Sequence, residues 1–120
     1  MKHVASIVAL IAITGCSSAG SEYKHAVDCQ GALVAAASLG PASDVGEQLS
    51  DQSAALGRWV ERAALAAGKS PEQTHTDEEA AVTKYVRPMD AATEAERGEL
   101  EKGTIDKAKA CLADLAKQPK

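Results

Sequence analysis

The residues of this chain that could carry chemistry are few: besides lysines and acids there are three His, three Cys, one Trp, two Tyr and two Met in 120 residues. His75 lies in the acidic turn Thr74-His75-Thr76-Asp77-Glu78-Glu79, where Asp77 or Glu79 could join it on a metal. One imidazole with carboxylates so close in sequence lacks the paired i, i+4 ligands of a helical metal site. Acids in a helix's first turn are explained as well by the positive end of its dipole, and no metal site is assigned. His25 stands near the start of the first helical stretch. Trp59, Tyr85 and Met89 fall on apolar stripes and read first as packing. With His75 they are also the contacts a small molecule or partner would use, and Met89 with a histidine could ligate copper or haem.

Nothing else suggests a catalyst. The chain has no Gly-x-Ser-x-Gly elbow, no Cys-x-x-Cys-His haem motif and no phosphate-cradling glycine loop. Its 17 acids offer many carboxylate pairs of the glycosidase kind, but most read as solvated faces. The expectation is a non-enzyme without a cofactor.

Composition narrows the class further. With 13 Lys+Arg against 17 Asp+Glu the net charge is −4, which gives no basic field for nucleic acid, and 2% aromatics leave no platform for stacking bases. Length argues for one small domain. Alanine makes up about a fifth of the residues, Phe is absent, and Gly and Pro fall mostly between apolar-periodic stretches, as in an all-helical protein.

The N-terminus carries an address. Lys2 precedes an apolar run, Val4 to Ile13, interrupted only by Ser6. About ten apolar residues are half of what a bilayer span needs, so the run is a signal peptide and not a transmembrane anchor. Ile13-Thr14-Gly15-Cys16 follows, and it resembles the lipobox of bacterial lipoproteins at every position. The resemblance covers only about the first sixteen residues. It implies cleavage after Gly15, diacylglycerol on Cys16 and often acylation of the new amino terminus. Ser17 after that cysteine is similar to lipoproteins sorted to a Gram-negative outer membrane, on its periplasmic face. In a Gram-positive host the same anchor would sit on the outer face of the plasma membrane. A general signal peptidase cutting near Ser17-Ser18-Ala19 is the competing reading. Residues 16–21 are small and polar and read as a flexible tether of about 13–15 Å, with residues 22–118 forming the domain.

Four helical segments should position the rest. The first, about Glu22 to Leu39, puts Ala26, Cys29, Leu33 and Ala37 on one stripe flanked by Val27 and Val34, and ends at Gly40-Pro41. The second, about Asp44 to Ala67, carries Val45, Leu49, Gln52, Leu56, Trp59, Val60, Ala63 and Ala67, with Ser43 or Asp44 to cap it and Gly68 to end it. The third starts at one of two overlapping capping boxes, Ser70-x-x-Gln73 or Thr76-x-x-Glu79, and presents Ala81, Val82, Tyr85, Val86 and Met89. Pro88 should kink or divide it. The fourth, Thr104 to about Gln118, presents Ile105, Ala108, Cys111, Leu112 and Leu115; the Glu-rich stretch around Gly98 and Gly103 stays ambiguous.

If Cys16 is acylated, Cys29 and Cys111 remain as an even pair in an exported chain. Both lie on inward stripes, and in an up-down-up-down bundle the first and last helices are antiparallel neighbours that bring them level. A disulfide is expected; two buried thiols, or a redox-active pair, are the alternatives. The expected architecture is therefore a small all-α antiparallel bundle of about four helices, its first and last helices joined by one disulfide. The expected role is that of a lipid-anchored envelope protein with a protein partner. A small-molecule or metal binder is the second reading.

Overall fold

The computed structural model describes the backbone of residues 2–40 and 44–119, and side chains from residue 18 onward. Four helices follow in order, α1 (Lys2–Ala37), α2 (Val45–Ala66), α3 (Pro71–Ala91) and α4 (Glu94–Ala116), with no strand among the described residues. The bundle is all-α, and a Cys29–Cys111 disulfide joins its first and last helices. Cys16 and the rest of the lipobox lie outside the residues whose side chains are described. The stretch read as a tether, 16–21, is continuous with α1.

Chain reversals follow the local chemistry. α2 ends in a Schellman motif: Gly68 takes φ +70°, its N–H bonds the Leu65 carbonyl, and the Lys69 N–H bonds the Ala64 carbonyl at 2.9 Å. α3 opens on the first of the two capping boxes, with Gln73 N–H donating to Ser70 Oγ and Ser70 N–H donating to Gln73 Oε1. Thr76 is thus inside the helix. α4 starts ten residues earlier than its apolar stripe suggested. Thr93 Oγ1 accepts from the Glu96 N–H, Glu94 and Glu96 sit in the positively polarised first turn, and Gly98 and Gly103 become helical. Asp44 occupies the N-cap position of α2 but is left-handed (φ 58°) and makes no side-chain cap bond. Pro88 does not divide α3, which runs unbroken to Ala91.

α1 is the axis on which the other three helices pack. Ala26, Cys29, Ala32, Leu33, Ala35 and Ala36 are all fully buried, which takes in more of the circumference than one stripe. Val34, by contrast, stays 40% exposed. Glu22 with Trp59 and Ala37 with Gly46 set α2 antiparallel to α1, His25 with Asp114 and Asp28 with Lys107 do the same for α4, and Tyr23 with Asp77 and Asp28 with Lys84 set α3 parallel to it. In an ordinary four-helix bundle α1 and α3 would be diagonal. Here they touch, because Gly31 has no side chain: a Cβ built on it would lie 2.6 Å from the Ala81 carbonyl carbon. Drawing α3 onto α1 parts it from α2 and leaves a surface groove of about 380 Å³ between those two, floored by Gln30.

Candidate functional site

Charged and polar side chains meet at two levels of α1. At the first, one helical turn carries both His25 and Cys29, and one turn of α4 carries both Cys111 and Asp114. Antiparallel packing superposes the two turns. His25 Nε2 lies 2.9 Å from Asp114 Oδ2 and 3.9 Å from Cys29 Sγ, which is bonded to Cys111 Sγ at a Cα–Cα distance of 5.4 Å. The sulfurs are sealed, while the His25 and Asp114 side chains are each 39% exposed. The cluster therefore has a buried sulfur wall and a mouth to solvent.

Trp59 of α2 packs against His25 at this level. Its ring meets that of His25 edge to face, with centroids 5.5 Å apart, and its Nε1–H donates to Glu22 Oε1 at 2.8 Å. Such a geometry suits a ring quadrupole against an imidazole, and it gives the buried indole N–H its acceptor.

The second level centres on Asp28. Tyr85 Oη and Lys84 Nζ both donate to its Oδ1 at 2.8 Å, and Lys107 Nζ stands 3.4 Å from Oδ2. Burial works to raise the Asp28 carboxyl. The hydrogen bonds from Lys84 and Tyr85, with the charges of Lys84 and Lys107, outweigh it and hold the group below the usual carboxylate range. Burial, then donation to that carboxylate, pushes the Tyr85 phenol far above its ordinary value. Asp28 is an ion-pair clip tying α1 to α3 and α4.

The residues singled out in the sequence do not converge. Trp59 belongs to the His25 level, Tyr85 to the Asp28 level, and Met89 is buried with its carbonyl accepting from Arg97 Nε. His75 is exposed and pairs with Glu79 one turn on, at 2.9 Å. Lys107 is engaged by Asp28. The principal grooves on the described surface are lined by none of Trp59, Tyr85, Met89 and His75. The largest, about 750 Å³, opens between α1 and α3 among Tyr23, Lys24, Asp28, Lys69, Asp77 and Lys84. Tyr23 at its wall donates to Asp77 Oδ2 at 2.6 Å. Reasoning from sequence passed over His25 and Asp114, although the signal was available: each cysteine of the expected pair has a ligand-type residue one turn away on its own helix.

No family model, curated protein or solved structure matches the chain.

Proposed function

We propose that the chain is a lipid-anchored protein of the bacterial cell envelope that works without catalysis, by binding another envelope component through its surface. The observation that carries the reading is the run ending Ile13-Thr14-Gly15-Cys16, which has the apolar length and the small-residue-then-Cys ending of a lipoprotein signal. The Cys29–Cys111 disulfide supports it, since structural disulfides persist in oxidising compartments. No described helix is long and apolar enough to cross a membrane. The proposed site is the periplasmic face of an outer membrane.

Support for a surface role comes from the α2–α3 groove. Leu65 beside it is 72% exposed, and Gly57, Val60, Ala64 and Pro71 give the walls an apolar character. Solvent-facing leucine next to a recess is what a partner side would cover.

Acyl labelling in cells, comparing wild type with Cys16→Ser, tests the anchor. The lipid label and membrane retention are expected to vanish in the variant, and labelling that survives rules Cys16 out. Crosslinking in intact cells with Leu65→Glu beside wild type tests the surface: loss of one specific adduct, with anchoring unchanged, is expected.

A further inference from the structure

We propose that, in its dithiol form, the protein binds a zinc-class divalent metal ion through Cys29, Cys111, His25 and Asp114. Tetrahedral zinc with two thiolates, one imidazole and one carboxylate needs its donor atoms roughly 3.3–3.8 Å apart. Two of the relevant edges, 2.9 Å from His25 Nε2 to Asp114 Oδ2 and 3.9 Å from His25 Nε2 to Cys29 Sγ, lie on either side of that range. The ligand atoms of His25, Cys29 and Asp114 all fall within 4.8 Å of one another. The Cys111 sulfur lies outside that group but is bonded to the Cys29 sulfur, and it supplies the fourth donor once reduction lets the two sulfurs separate to the needed edge.

The site has what a metal requires beyond four donors. Its ligands come as one-turn pairs from two helices already held side by side: His25 with Cys29, Cys111 with Asp114. The sulfurs are shielded from water, and the exposed His25 and Asp114 edges give an entry path. Two thiolates with imidazole in tetrahedral array select zinc over the hard cations.

A dithiol reductant exchanges with the Cys29–Cys111 bond, leaves as its own disulfide, and passes two electrons and two protons to the cysteines. The metal ion displaces those two protons to solvent and takes two thiolates, the Asp114 carboxylate and His25 Nε2, with the imidazole proton on Nδ1. Disulfide and metal are thus alternative ways of joining the same two turns of α1 and α4. This inference stands apart from the anchoring and does not depend on it.

The test uses the full chain in detergent, reduced by a phosphine, freed of it and kept without oxygen, then titrated with Co²⁺. The expected result is a 1:1 complex with thiolate-to-cobalt charge transfer and tetrahedral d–d bands, bleached by stoichiometric Zn²⁺. Emission from Trp59, the single tryptophan, should change over the same titration because its ring touches His25. His25→Ala and Asp114→Ala should each weaken binding at least tenfold with their helical circular dichroism intact. Cobalt bands absent from the reduced chain, equal affinity in the oxidised chain, or no loss in both variants would each overturn the proposal. Should reduction melt the helices, zinc must restore them, and failure to do so overturns it equally.

Discussion

At the residue scale, Asp28 is where the sequence's charges become structure. An exposed ion pair contributes little, but this carboxylate is only 24% exposed and takes two hydrogen bonds and two cationic neighbours. Asp28→Asn should therefore cost about 1–3 kcal/mol, since an amide oxygen can still accept from Tyr85 but the charge that pairs with Lys84 and Lys107 is gone. The pH dependence has a definite sign. A carboxyl lowered on folding stabilises fully above its unfolded value of about 4, and that stabilisation drains as pH falls below it towards the folded value. The phenol of Tyr85 is raised, so its contribution is complete below about pH 10 and is lost as pH climbs through the folded value. Urea midpoints measured across pH should show wild type losing its Asp28 contribution on the acid side while Asp28→Asn runs flatter there. Tyr85→Phe should flatten the alkaline side and, by removing one of the hydrogen bonds that lower Asp28, weaken the acid-side loss as well. Parallel curves for wild type and Asp28→Asn below pH 4 would mean that the clip is not what holds these helices.

At the scale of the helices, one substitution should have opposite effects at two positions. Gly31 lies where α1 meets α3, and an added methyl group would run into Ala81 backbone atoms, which cannot swing aside. Gly31→Ala should destabilise by about 1–3 kcal/mol or more through overpacking. A Cβ on Gly98 would meet nothing within 4 Å, so Gly98→Ala should stabilise α4 by about 0.5–1 kcal/mol. Thermal melts of the two variants decide it; a Gly31→Ala melting point equal to or above that of wild type would contradict the α1–α3 contact. These glycines also mark how far the sequence could be read. The stripe through Cys111 and Leu115 is a local signal and lies where it was expected, and the Ser70 box is the one of the two candidate boxes that α3 uses. α4's early start has a local signal too, Thr93-x-x-Glu96, but the glycines at 98 and 103 obscure it, because propensity sees their entropy and not the acidic first turn that offsets it. That α3 would cross onto α1 was not legible, since a glycine's value as a contact depends on what faces it from fifty residues away. The same blindness hid the cluster: one turn holds His25 and Cys29, another Cys111 and Asp114, and only packing adds them together.

For the molecule as a whole, the disulfide decides how the ends of the domain are held. Cys29 and Cys111 are separated by 82 residues, so the loop they close contains all of α2 and α3. In the chain-entropy picture, removing such a crosslink frees the unfolded state by roughly 4 kcal/mol. That is a large share of the 5–15 kcal/mol typical of a whole domain, and here the core is built mostly from alanine, small aliphatic residues and a single Trp. Reduction should lower the melting temperature by about 15–30 °C at 4–8 °C per kcal/mol. It should also steepen the urea dependence, because an uncrosslinked chain exposes more surface when it unfolds. Cys29→Ser with Cys111→Ser should reproduce both changes without reductant. If instead the melting point moves by only a few degrees, the four helices hold one another through the Asp28 clip and the Gly31 crossing. The bond between the first and last helices would then be free to open without dismantling the fold, which is the condition under which the same two turns could exchange a disulfide for a metal ion.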